Sequence, residues 1–188
     1  MSDLPAIELP IATARLNLRN YTDADAATVA ATVAAPAYWQ AQAVEPPTAT
    51  QITALVTWAA AEARVKPRLN YFLAATLKDT GAIVGEAVLK LVNPVLGIAE
   101  IGFGVAAPYW RLGYGVEIAR AMRDAAFHQL KAHRVAAQCT PENVGSIRVM
   151  ERIGLAREGL LRDVTFARGR WWSTVVYAAV AGNGAAPH

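Results

Sequence analysis

The sequence of 188 residues contains a single cysteine, so no internal disulfide can form. No Cys/His cluster has the spacing of a zinc site, and a reducing compartment is expected. Charged residues are scarce at 18%, while 54% are hydrophobic, a balance that excludes a disordered chain. Lysine is rare, four residues against fourteen arginines, and the net charge of +3 is scattered rather than gathered. That pattern argues against a nucleic-acid surface. From Met1 to Glu8 the chain carries acids and a proline, where an export signal would have a basic start and an apolar core. The longest uncharged stretch, Ala26 to Val44, is mostly Ala and Thr and includes Pro36, Gln40 and Gln42. It is too weakly hydrophobic to span a bilayer. The expectation is a cytoplasmic protein without membrane contact, and the length suits one domain over 1–188 with its core at about 16–180.

The periodicity then orders the elements. Leu16 to Arg19 alternates as a first strand, and Thr22 to Asp25 offers a helix start. Ala26, Val29, Ala30 and Val33 share one helical face until Pro36, which should end that helix. Ile52, Leu55, Val56 and Ala59 mark a second helix before Pro67. Strands follow over Leu69–Leu77 and Ile83–Leu91, joined by the turn Lys78-Asp79-Thr80-Gly81, and then over Ile98–Val105. A helix from about Gly115 to Leu130 has an apolar face, with Glu117, Arg120 and Asp124 charge-paired opposite. Arg134–Thr140 reads as a strand, Val144–Ile153 as a helix, and Leu160–Phe166 and Trp171–Val180 as a final hairpin. Ala181 to His188 reads as a frayed tail. The order β-α-α-β-β-β-α-β-α-β-β gives an α/β mixed sheet of about seven strands with four helices.

Two segments carry chemistry. From Val105 to Glu117 a strand ends, Gly113 and Gly115 allow a tight turn, and a helix starts at once. Such a turn points unpaired amides at one spot, reinforced by the helix dipole. By itself it fits a pyrophosphate site or an unliganded strand-to-helix turn equally well, and its spacing is that of neither ATP nor dinucleotide loops. The second segment runs from Asn143 to Leu155, with Asn143 as helix cap, Ser146 in the first turn and Gly154 at the end.

Together these segments resemble the GCN5-related N-acetyltransferase (GNAT) family, in its branch acting on N-terminal residues of ribosomal proteins. Gly113 and Gly115 match the glycines of the family's acetyl-CoA loop, with Trp110 where a Gln or Arg is usual. The run Asn143-x-x-Ser146-x-Arg148-Val149-Met150-Glu151-x-x-Gly154 is similar to that branch's signature, and Glu100-Ile101-Gly102 fits on the preceding strand. The resemblance implies a sheet splayed between the Ile98–Val105 and Arg134–Thr140 strands. It further implies that the pantetheine arm of acetyl-CoA pairs with the backbone of Phe103, Gly104 and Val105. The amides of Arg111, Leu112, Gly113, Tyr114, Gly115 and Val116 would hold the pyrophosphate, and Asn143 and Ser146 would face the thiol end. Arg148 or Arg152 would meet nucleotide phosphates or simply be solvated.

Acetyl transfer to an amine needs a base, a polarised carbonyl and help for the leaving thiolate. Glu100 is the candidate base, acting through water. It shares a strand face with Gly102 and Gly104, which leave space for a cleft, and a purely structural carboxylate is the rival reading. Many relatives place a Tyr acid where Met150 stands, and Met150 cannot donate a proton. Ser146 is the replacement that the branch implies, with a capping or cofactor-orienting role as its rival. Cys139 reads better as a small buried hydrophobe than as a nucleophile. Tyr38 and Trp39 border the acceptor in relatives, and Trp171 and Trp172 follow the last turn. Core packing or a homodimer contact explains these aromatics equally well. The implied activity is acetyl-CoA-dependent acetylation of a primary amine, most like a protein N-terminus. The alternatives are a small-molecule amine as acceptor, or a non-catalytic acyl-CoA-binding module. No metal is called for.

Overall fold

The computed structural model describes residues 4–182. Most of the tail expected from Ala181 onward lies outside them. One sheet of eight strands organises the fold. In chain order the elements are β1 (Ile11–Ala12), β2 (Leu16–Asn20), α1 (Ala26–Thr32), α2 (Pro36–Trp39), α3 (Ala49–Glu62), β3 (Asn70–Leu77), β4 (Ile83–Asn93) and β5 (Ile98–Val105). They continue as α4 (Tyr114–His128), β6 (Arg134–Cys139), α5 (Val144–Arg152), β7 (Ala156–Ala167) and β8 (Arg170–Val180). The strand order is β1-β2-β3-β4-β5-β6-β8-β7. All neighbours are antiparallel except β5 and β6.

Strand alternation sorts the apolar residues into two layers. Tyr71, Leu73, Leu89, Ala99 and Ile101 face α4 and α5, where Ile118, Met122, Met150 and Ile153 complete the main core. On the other face Phe72, Ala74 and Ile83 meet Val29, Ile52, Val56 and Ala59 of α1 and α3. The sheet is therefore covered on both sides, as the mixed α/β reading requires.

Two details depart from the expected element list. The structure adds β1, two residues long, and α2, four residues long, so among the described residues eight strands and five α-helices replace seven and four. Pro36 does not stop α1, which ends at Thr32; it opens α2 at the first helical position, where its missing N–H costs nothing. β7 begins at Ala156 rather than Leu160. It is an outer strand with register shifts near Gly159 and between Leu161 and Thr165, which interrupt its pairing edge. Trp172 is buried, its indole donating to the Ala167 carbonyl at 2.8 Å, whereas Trp171 is exposed.

Arg19 and Asp25 form a two-pronged ion pair at 2.8 and 2.9 Å, and Asp25 also accepts from the Thr22 amide and hydroxyl. The Arg19 guanidinium foremost, assisted by Thr22 and against the effect of burial, holds the Asp25 carboxyl down to about 2, from an ordinary 3.8. A depressed folded-state value stabilises the fold above the unfolded value, and that contribution is lost as pH falls from about 4 toward 2. Urea unfolding should show this as a loss of about 2 kcal/mol across that window, and Asp25→Asn should remove this part of the pH dependence.

Candidate active site

β5 and β6 run parallel for only three bridged pairs, Ile98 with Arg134, Ala99 with Val135 and Glu100 with Ala136. Beyond Glu100 they part. β6 stays paired to β8 as far as Cys139, and β5 stays paired to β4 as far as Val105. The sheet thus opens between its two central strands. The Ala106 amide donates to the Val84 carbonyl at 2.9 Å, which makes Gly104 and Glu86 a hydrogen-bonded pair in the β4–β5 ladder. Phe103 and Val105 therefore turn their backbone groups into the opening, while those of Gly104 are turned to β4. The Val105 carbonyl is already taken by the Trp110 indole at 2.6 Å.

At the end of β5 the chain passes through a turn of 3-10 helix, Ala107–Tyr109, and then through two left-handed residues, Arg111 and Gly113. Gly113, with φ +86°, is the N-cap of α4. The first bond back into the turn is from the Glu117 amide to the Gly113 carbonyl at 3.2 Å, so the preceding amides have no intrahelical acceptor. Gly115 serves a different purpose. A Cβ there would lie 3.3 Å from Val149 Cγ2 and 3.7 Å from Val105 Cγ2, so glycine permits α4 to lie close to α5 and β5.

Arg15, from the loop before β2, fixes this turn. Its guanidinium donates to the Leu112 carbonyl at 2.9 Å and to Glu117 at 2.8 Å, and it stacks 4.2 Å over the Tyr114 ring. Burial pushes the Glu117 carboxyl up, but bonds from Thr13 and from the Arg15 backbone and side chain hold it below its ordinary value. The charge pairs expected along α4 are accordingly rearranged. Glu117 pairs with Arg15, Asp124 with Arg123, and Arg120 donates to the Arg152 carbonyl. A partner 102 residues away leaves no signal in helical periodicity.

α5 stands at the end of β6. Asn143 caps it by accepting from the Ser146 amide at 3.0 Å, which places the Ser146 hydroxyl in the first turn. Cys139 is half-buried and burial pushes its thiol up to about 11, so it carries little thiolate at neutral pH.

The opposite mouth of the opening is crossed by α2 and the loop after it. The Tyr38 hydroxyl donates to Glu86 Oε1 at 2.9 Å directly above Gly104, where a built Cβ would lie 2.1 Å from that hydroxyl. The Ala41 carbonyl accepts from the Thr140 hydroxyl at 2.7 Å, beyond the end of β6. Arg168, at the β7–β8 turn, donates to the Trp39 and Gln40 carbonyls at 3.1 and 3.2 Å. The segment is thereby fastened to both banks of the split. Trp39 turns its indole to the Val33 carbonyl at 2.8 Å, whereas Tyr38 reaches the opening.

Glu100 lies at the apex of the split, exposed, in register with Lys90 on β4. Glu86, two pairs further along the same face, is the carboxylate that sequence reasoning missed. Its signal was present: a lone acid within Ile83-Val84-Gly85-Glu86-Ala87-Val88, an otherwise apolar strand.

The model of the acetyltransferase (GNAT) domain matches residues 15–156. The chain belongs to the GNAT family. A protein named "Putative ribosomal N-acetyltransferase YdaF" from Bacillus subtilis is 33% identical over 110 residues, covering 58% of this chain and 60% of that protein. The chain spans about half the length of the first curated relatives it matches. A GNAT-family acetyltransferase structure from Bacillus anthracis superposes with a TM-score of 0.77 at 26% identity, covering 90% of this GNAT chain and 96% of the other. RimL, described as a ribosomal L7/L12 alpha-N-protein acetyltransferase in complex with coenzyme A, gives a TM-score of 0.77 at 15% identity, covering 92% and 97%. At that identity the likeness speaks for fold. Among the described residues of this GNAT protein, no helix is long and apolar enough to cross a membrane.

Proposed function

We propose that this GNAT protein is an acetyltransferase that takes its acetyl group from acetyl-CoA and delivers it to a protein N-terminal amine of the ribosomal-protein kind. The observation that carries the reading is the split beyond Glu100, with an amide-lined turn at one end and Tyr38 across its other mouth. The site fits the donor. Outward amides from Arg111 to Val116 suit a pyrophosphate, and Phe103 offers unpaired backbone edges to an amide-bearing arm. When bound, acetyl-CoA supplies an activated thioester. Arg15 keeps the phosphate turn in shape, and Gly115 allows close approach. Ser146, in the first turn of α5, donates a proton to the leaving sulfur in this reading, with Asn143 orienting that turn. Glu100 conducts the amine's proton toward solvent through water.

The name of YdaF favours a peptide acceptor, and so does the scarcity of acids at the acceptor mouth. Glu45 is the one acid between Ala35 and Thr48, and the Arg168 amide engages it at 2.5 Å, which leaves little to attract a polycation. Steady-state kinetics with an alanine-initiated hexapeptide and with spermidine test this. The peptide should give the higher kcat/KM; a preference for spermidine overturns the peptide assignment.

A further inference from the structure

Glu86 points away from the main core into the smaller layer beneath α1 and α3, where its surroundings are Tyr21, Val29, Phe72, Val88 and Tyr38. A carboxylate placed among such residues without a cationic partner is costly unless something is meant to meet it. Its hydrogen-bond partner, the Tyr38 hydroxyl, sits above Gly104, on the strand whose free edge lines the split. We propose that Glu86, with Tyr38 bonded to it over Gly104, is the group that receives the acceptor amine and takes its proton. The proposal rests on the acetyltransferase reading and deepens it, since Glu100 lies four residues further along the same face, roughly 13 Å away.

The step balances as follows. An alkylammonium passes one proton to a Glu86 oxygen and becomes a neutral amine. Its nitrogen forms the bond to the acetyl carbon, the carbon–sulfur bond breaks, and sulfur leaves with the bonding pair. The proton that nitrogen sheds as it becomes an amide ends on sulfur. The products are an amide, a thiol and the proton held by Glu86.

Burial pushes the Glu86 carboxyl above its ordinary value, against the opposing hydrogen bond from Tyr38. A carboxylate shifted that way accepts a proton more readily near neutral pH. The groups facing it are Tyr38 from α2 and Tyr21 after β2, with the paired Arg19 and Asp25 beside Tyr21. Lys90 and Glu100 lie further along the strands. The cavities that Glu86 lines are about 10 and 30 Å³ and contain no second acid. They have room for about one or two waters, so only the nitrogen end of an acceptor comes near Glu86 and its carbons stay outside. The chemical class this fits is a singly charged amine on a small apolar group, such as an alanyl N-terminus.

The test compares wild type, Glu86→Gln, Glu86→Asp and Glu100→Gln on the alanine-initiated hexapeptide, with acetyl-CoA affinity from calorimetry and folding from thermal melts. Glu86→Gln should lower kcat/KM by about 10²-fold or more and abolish the acid limb of its pH profile, with acetyl-CoA affinity little changed. Glu86→Asp should recover part of the rate and a shifted acid limb, while Glu100→Gln, which removes the proton's path to solvent, should lower the rate and leave the acid limb where it is. The proposal is overturned if Glu86→Gln retains both rate and limb, or if the limb disappears with Glu100→Gln instead. Should the Gln variant fail to fold, Glu86→Asp decides alone, an unshifted limb counting against Glu86. A wild type that acetylates no amine overturns the acetyltransferase reading itself, which separates the two failures.

Discussion

Valine in place of Gly113 or Gly115 is expected to weaken acetyl-CoA binding by roughly tenfold to 10²-fold, through two different physical routes. At Gly113 the obstacle is conformational. Its φ of +86° is hostile to a β-branched residue, and a Cβ there would approach only Arg15 Nη2, at 3.4 Å. The turn must change shape, and with it the aim of the amides. At Gly115 the backbone is ordinary and the obstacle is packing, because the side chain would be driven between Val149 and Val105. Gly81→Val separates strain from site. Gly81 has φ +73° in the β3–β4 turn, with open space around it. That variant should lose thermal stability as Gly113→Val does and keep its affinity in calorimetry. Unchanged affinity in both Gly113→Val and Gly115→Val would remove the cofactor assignment.

The second large effect is expected at Gly104. A valine Cβ there would lie 2.1 Å from the Tyr38 hydroxyl, 2.9 Å from Glu86 Oε1 and 3.1 Å from Glu86 Cγ. Tyr38 must leave its position, and the group that covers the acceptor mouth leaves with it. Misplacement of this kind should lower kcat/KM for the peptide by roughly 10²-fold or more. Acetyl-CoA affinity should hold, because Phe103 still presents its backbone to the split. Gly102→Ala is the matched comparison. Its Cβ would meet only Val88, at 3.4 Å, so a small loss is expected there. Equal losses at both positions would deny Gly104 a special role.

The legible part of this molecule was the part written in local pattern. Alternation in β3, β4 and β5, the apolar stripe of α4 and the glycines around residue 113 pointed directly to the sheet and to the tight turn that opens α4. What stayed hidden was short or distant. β1 and α2 are too brief to show a period, and Pro36 could be taken for a terminator because proline also starts helices. Arg15 reaches Glu117 and Leu112 from about a hundred residues away, and Arg168 reaches Trp39 and Gln40 from further still. Glu86 was overlooked for another reason. A single acid in an apolar strand reads as its solvent side until the helices over that face are known. Glu100, chosen because Gly102 and Gly104 open space beside it, lies on that same face. The space above Gly104 is instead filled by Tyr38.

Whether the split between β5 and β6 delivers an acetyl group to an amine is decided by mass spectrometry of the alanine-initiated hexapeptide incubated with the protein and acetyl-CoA. The expected result is a gain of one acetyl group on the N-terminal amine, dependent on the protein and lost with Gly113→Val. An unmodified peptide, together with unmodified spermidine and small amines under the same conditions, would contradict it.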